Sequence, residues 1–301
     1  MSFTTINGID NLLRTTSSST PSNNNKSLGF QDSNLQRSVE LLKEALLENY
    51  WIDLGFTSNC ITSGCRSIIR SLCKSRIIDS IVTTAGGIEE DIIQVIDGDF
   101  KNITLPFDDK ELYSRGYFRS GNRIARSEGY IKLEYYLEQK LDHYSKRTIS
   151  TSEIIRRIRL KGSYLSQLKN NVYCPCIEDG AIGDYLYLRY RRGLKPLLVT
   201  FTRDHIEYQE KLLNDKRKKL AILLGGSIPK HYVLNSSILS GGYDSVILLN
   251  TGLHYDGSNA GAEPEEAFSW GKVAQGGSIV KVFGDFTITL PILLERVGIR
   301  I

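Results

Sequence analysis

The chain has 301 residues, 41% of them hydrophobic and 24% charged, with 38 Lys and Arg against 34 Asp and Glu and a formal net charge of +4. These proportions exclude a collagen-like, disordered or small disulfide-stapled chain and describe a globular protein. A balance so near neutrality, with no concentrated basic stripe, gives no reason to expect a nucleic-acid partner.

In chain order, the polar low-complexity run Thr15–Lys26 cannot bury enough apolar surface to offset its ordering entropy. Residues 1–27 are therefore predicted to be a flexible segment and 28–301 the folded domain. Val39, Leu42 and Leu46, flanked by Leu41, Ala45 and Leu47, recur at helical spacing and predict a helix over about 34–49. Ser150 and Glu153 form a capping box that opens a second helix through Ile154, Ile155, Ile158 and Leu160. Uniformly apolar runs at Ile77–Thr83, Leu197–Phe201, Leu220–Leu224, Ser245–Leu249 and Ile279–Phe283 each lead into a turn and a helix-like stretch. That is the pattern of parallel strands covered on both faces. Lys211–Lys219, with four consecutive cations from Lys216, reads as a solvated helix end facing the C-terminal dipole. The predicted fold class is α/β, a single doubly wound Rossmann-like domain with a mostly parallel sheet and helices on both faces.

No stretch reaches the roughly 18 apolar residues that cross a bilayer, and Met1–Asn11 lacks a basic start followed by an apolar run. The expectation is a cytoplasmic protein with no membrane partner. Cys60, Cys65, Cys73, Cys174 and Cys176 contain no C-x-x-C pair. They read as reduced, mostly buried small residues, and no metal site is expected.

Ligands of open parallel sheets bind beyond the carboxyl ends of the strands. Unusual chemistry gathers at four such ends: Thr57-Ser58-Asn59; Thr83-Thr84-Ala85-Gly86-Gly87 with Glu89-Glu90-Asp91; Gly225-Gly226-Ser227 with His231; and Asn250-Thr251-Gly252 with Asp256-Gly257-Ser258. Glycine pairs admit a ligand close to the backbone, and following helices aim their positive ends at phosphate, so the set suits a pyrophosphate although no G-x-G-x-x-G occurs. The densest segment is Glu263–Lys272. Glu266 and Trp270 are four apart and would share a helix face, and a carboxylate beside an indole is a receptor for a protonated amine. Trp270 reads equally well as a core residue. Lys272, if desolvated, would be a neutral amine nucleophile, and taken alone is a surface lysine.

Thr83-Thr84-Ala85-Gly86-Gly87-Ile88-Glu89-Glu90-Asp91, Glu178-Asp179-Gly180-Ala181-Ile182-Gly183-Asp184, Lys230-His231 with Asn235, and Ala267-Phe268-Ser269-Trp270-Gly271-Lys272 resemble the deoxyhypusine synthase family over about Leu28 to Leu294. The resemblance implies NAD-dependent transfer of the aminobutyl group of spermidine, through an imine on Lys272, to one lysine of the precursor of the hypusine-containing translation factor. It assigns NAD contacts to Ser58, Asn59, Thr84, Ala85, Gly86, Glu90, Asp179, Gly226, Thr251, Asp256 and Asp285. The spermidine pocket would use Asp184 and Glu266 for the terminal ammonium groups, Trp270 along the chain, and His231 with Asn235 near the oxidised carbon. Glu89, Gly257 and Ser258 are placed on the polyamine side as well. His231 is the proton acceptor, because imidazole titrates near neutral pH. A homotetramer with sites built across subunit interfaces is implied, or a heterotetramer with a paralogue.

Four departures stand out. Asn259-Ala260 occupy the place of Asp-Ser in the family turn, Ser227 replaces a third glycine, Leu198–Asp204 lacks the family's acidic pattern, and Thr15–Lys26 stands where an N-terminal extension would cover a neighbouring site. They leave open a homospermidine synthase, with putrescine as acceptor, and a non-catalytic regulatory subunit.

Overall fold

The computed structural model describes residues 28–104, 106–167 and 171–300, so the polar segment 1–27 lies outside the described residues. Helix α1 (Phe30–Leu47) starts earlier than predicted and turns Leu35, Val39, Leu42 and Leu46 inward. Strand β1 (Trp51–Phe56) is buried throughout, and a π-turn (Ile61–Cys65) leads to α2 (Arg66–Lys74). Next come β2 (Ser80–Thr83) and α3 (Ala85–Ile96). An antiparallel ribbon then intervenes: β3 (Lys101–Asn102), α4 (Asp109–Ser114), β4 (Tyr117–Ser120) and β5 (Arg123–Arg126), closed by α5 (Ser127–Leu141). The chain continues through β6 (Thr148–Ser150), α6 (Thr151–Arg157), β7 (Val172–Tyr173), α7 (Ala181–Arg191), β8 (Leu198–Thr200) and α8 (Thr202–Asn214). The last part is β9 (Lys219–Leu224), α9 (Ser227–Ser236), β10 (Tyr243–Asn250), α10 (Glu266–Ser269), β11 (Val273–Phe283) and α11 (Phe286–Val297).

The main sheet runs β7-β2-β1-β9-β10-β11 with every pair parallel. The chain winds outward from β1 to β7, returns, and winds outward from β9 to β11. The reversal between β1 and β9 is the topological switch point at which such sheets bind ligands. Both faces are covered: Leu220, Ile222 and Leu224 join the core beneath α1 and α11, while Ala221 and Leu223 join Tyr208, Leu212, Val233 and Leu234 of α8 and α9. This is the predicted α/β architecture, and uniform burial along the inner strands is why their sequences do not alternate.

Two predicted elements are corrected. Leu197–Phe201 does not join the main sheet: β8 pairs with β6 in a separate two-stranded ladder, a choice of partner that a short apolar run cannot specify. Lys216–Lys219 is not a helix end, because α8 stops at Asn214. Arg217 instead reaches Asp79 at 2.8 Å and Asp215 at 2.9 Å and lies 5.2 Å from the centre of the Trp51 ring, while Lys219 begins β9 and is buried. Its neighbours across the fold, not the dipole, employ these cations. Ser150 caps α6 as predicted, its Oγ accepting from the Glu153 amide at 3.3 Å, but the Glu153 carboxylate accepts from Tyr144 OH at 3.1 Å and Arg157 at 3.3 Å instead of closing the box, and α6 ends at Arg157, short of Leu160.

The sheet centre holds one carboxylate. Asp53 is fully buried and accepts from Trp51 Nε1 at 2.7 Å, Ser80 Oγ and Tyr243 OH. Burial pushes its carboxyl up from 3.8 to about 6, against the opposing pull of these donors. The folded chain thus holds a proton that the unfolded chain releases between those values. Its contribution to stability is largest in acid and is lost as pH rises through about 6. Asp53→Asn, which cannot titrate, should gain stability relative to the natural chain between about pH 4 and about pH 7 in urea titrations; a pH-independent difference would contradict this.

Candidate active site

One cleft opens at the carboxyl edge of the sheet and a second lies beside the connection between β10 and β11. The larger, about 700 Å³, spans the ends of β1, β9, β10 and β11. Asn59, Thr62 and Ser63 line it after β1, Gly225 and Gly226 after β9, Thr251 and Gly252 after β10, and Asp285 with Thr287 after β11. Gly226 precedes α9 and Thr84 precedes α3, with no side chain capping either helix, so their first amides remain available to an anion. A Cβ on Gly226 would overlap Ala260, which is why a glycine stands there. Ser227, in place of the resembling family's glycine, adopts a left-handed φ of 56° that glycine would reach without steric cost. Asp285 caps α11, accepting from the Thr287 amide at 2.8 Å. A glycine-rich, mostly uncharged cradle with open helix starts fits a dinucleotide.

The smaller cleft, about 320 Å³, gathers His231, Asn235, Glu266, Trp270 and Lys272 with Lys230, Asn259 and Glu263. His231 and Asn235 are four apart on α9 and share its face. Glu266 and Trp270 flank the single turn of α10, and Gly271 with φ 67° turns the chain so that Lys272 follows at the base of β11. Lys272 Nζ lies 5.5 Å from the centre of the Trp270 ring. Trp270 is 65% exposed, which rules out the core reading. Burial holds the Lys272 amine below the ordinary lysine range, with Glu266 opposing. His231 is lowered by burial and then by the charges of Lys272 and Lys230, which keeps its imidazole neutral and able to accept a proton.

Lys230 is the residue to which sequence reasoning gave no role; its place beside His231 was the only signal. It is buried, its Nζ donates to the Asn259 carbonyl at 2.5 Å, and burial followed by Lys281 and Lys272 pushes it down to about 8.

The other predicted residues lie apart. Ser58 and Thr84 tie the β1 and β2 turns together through a 3.1 Å bond from the Ser58 amide to Thr84 Oγ1. Gly86 packs on Ser58, Ala85 is buried in the first turn of α3, and Glu90 accepts from Thr62 Oγ1 with its carboxyl pushed up to about 7 by burial. This group backs the larger cleft. The Asp256 carboxylate serves its own turn, accepting from the amides of Ser258 at 2.7 Å and Leu253 at 3.2 Å, and with Gly257 and Ser258 it lines neither cleft. Glu89 is buried and accepts from the Ile182 amide at 3.1 Å, fastening the start of α7; within one chain it stands away from the amine cleft. Asp179 and Asp184 are exposed on that same turn. They sit at the β7 edge, five strands from β11, or about 24 Å at usual strand spacing. One chain does not unite them with Lys272.

The family model described as deoxyhypusine synthase matches residues 22–297. The chain belongs to the deoxyhypusine synthase family. Among its relatives, homospermidine synthase 2 of Senecio vernalis is 40% identical over 261 residues, 81% of this chain and 70% of that protein. A deoxyhypusine synthase of the same plant is 38% identical over 260 residues, 81% and 69% of the two chains. The fold matches the crystal structure described as "a putative deoxyhypusine synthase from Entamoeba histolytica", with a TM-score of 0.63 and 20% identity over 88% of this chain and 87% of that one. The family member thus places five of its predicted site residues, His231, Asn235, Glu266, Trp270 and Lys272, in a single cleft. Removing the Lys230 charge with Lys230→Met should raise the His231 pKa measured by NMR titration; an unchanged value would show that the two do not sense each other.

Proposed function

We propose that this chain is a deoxyhypusine synthase: an NAD-dependent aminobutyltransferase that takes its group from spermidine and delivers it to a lysine of the translation-factor precursor, working in the cytoplasm as a tetramer. The supporting observation is the convergence of Glu266, Trp270, His231 and Lys272 on one cleft, sharing the 259–260 wall with the glycine cleft. When bound, NAD supplies the acceptor for a hydride from the amine's carbon and returns it at the end. Gly226, Thr251, Asn59 and Asp285 would hold it.

The chain's own groups account for the rest. Glu266 receives a terminal ammonium through a charge-assisted bond, and Trp270 covers the alkyl chain by cation–π and apolar contact. His231 takes the proton that must leave the secondary ammonium before its carbon is oxidised. Lys272, held partly desolvated, attacks the resulting imine carbon with its free pair. A bond to Nζ forms, the bond to diaminopropane breaks, and His231 returns a proton to that leaving amine. The butylimine on Lys272 then passes to the acceptor lysine, freeing Lys272. Asp184 and Asp179 enter this scheme from a neighbouring chain, which is the reason for proposing a tetramer whose sites span an interface.

A second reading is a homospermidine synthase. The 40% identity to the Senecio enzyme of that name and the neutral Asn259 on the cleft wall favour it. Purified chain should be given NAD and labelled spermidine with either the precursor factor or putrescine. Label on the factor supports the first reading, homospermidine alone replaces it with the second, and no transfer to either sinks both. Asn259→Asp adds a carboxylate opposite the amine and should lower the spermidine KM about tenfold; an unchanged KM would place that side chain outside the polyamine site. If sites are shared, mixing inactive Lys272→Arg with inactive Asp184→Asn chains should restore activity, and mixtures as dead as their components would mean that each site lies within one chain.

A further inference from the structure

The larger cleft has a feature that none of the strand ends provides. Arg123, on β5 of the antiparallel ribbon, is the only Lys or Arg among the described residues that line it. The guanidinium is half-buried and aimed by two hydrogen bonds, Nε to the Thr62 carbonyl at 3.1 Å and Nη1 to Asn102 Oδ1 at 2.9 Å. Among the described residues it forms no ion pair. Two of its five N–H groups are thus engaged, and the other three have no hydrogen bond among the described residues. Asp285 is the other charged side chain on this glycine-rich wall, and a braced, half-buried cation that no carboxylate pairs calls for an anion to complete it, because desolvating an unmatched charge is costly. The Asp285 carboxylate does not serve, since it caps α11 through Thr287.

We infer that Arg123 is the cationic ligand of the dinucleotide's diphosphate. The assignment rests on the dinucleotide reading of this cleft. Glycine turns and helix amides supply partial charges that suit phosphate oxygens but no net positive charge. The ribbon supplies that charge from outside the Rossmann core. Thr62 couples the two parts: its hydroxyl bonds Glu90 behind the cleft while its carbonyl receives Arg123. Ribose-side and phosphate-side groups are thereby held on one π-turn. A planar guanidinium with free parallel donors is the group that binds phosphate in two-pronged fashion, which a lysine cannot copy.

Calorimetric titration of the full chain with NAD and with ADP-ribose tests this without any turnover. Arg123→Ala should weaken both ligands by about tenfold to a hundredfold, the usual loss of a charged hydrogen bond. Arg123→Lys should recover only part of the loss, and added salt should narrow the gap between natural chain and variant. Asn102→Ala removes one brace and keeps the charge, so its loss should stay within about threefold. Equal melting temperatures for the variants would exclude unfolding as the cause. If Arg123→Ala binds ADP-ribose as the natural chain does, the assignment is wrong while the dinucleotide reading survives. If Asn102→Ala loses as much as Arg123→Ala, the guanidinium is only a brace, and the assignment is again overturned. If the natural chain binds neither ligand, the dinucleotide reading falls and takes the assignment with it.

Discussion

The contact between α9 and the chain between β10 and β11 is the constraint on which the site depends. Gly226 accepts the Ala260 methyl where any side chain would overlap it, and Lys230 reaches across to the Asn259 carbonyl. The loop is thereby pressed over the end of β9. Its two sides become two walls, Asn259 facing the amine cleft and Ala260 the glycine cleft. Lys281 adds a second tie, donating to the Gly252 carbonyl at 2.6 Å. Without these ties the two clefts would lose the wall that separates them.

The same tie sets the electrostatics. Holding Lys230 out of water next to Lys281 and Lys272 costs it much of its affinity for a proton, and burial, followed by the charges of Lys272 and Lys230, lowers His231. Under the proposed function, a binding site for a polycation thus contains cations of its own. It stays selective because Glu266 and the face of Trp270 are the features that reward an ammonium. The near-zero charge balance of the whole chain says little about this substrate, whose recognition turns on a few local carboxylates.

Much of this was legible in the sequence. Uniformly apolar runs ending in glycine and threonine turns marked β2, β9, β10 and the end of β11, because burial on both faces leaves a continuous signature. The spacing of His231 and Asn235, and of Glu266 and Trp270, placed each pair together before any fold was known. What escaped depends on distant partners. Nothing near Leu198 says that it pairs with Thr148, and nothing near Arg217 announces Asp79. Glu89 reads as a site carboxylate beside Glu90, yet the fold turns it toward the amide of Ile182. Arg123 was passed over because it comes from a ribbon and not from a strand end. Lys230 was passed over because burial, which gives it its character, is a property of the packed structure.

The central claim is that Lys272 carries the aminobutyl group. Incubation with NAD and spermidine, followed by borohydride and peptide mass analysis, would read it directly. One aminobutyl mass is expected on the peptide bearing Lys272, absent without NAD and absent in Lys272→Arg. An adduct on Lys230, whose amine is also depressed and lies in the same cleft, or no adduct at all while label still reaches an acceptor, would contradict it.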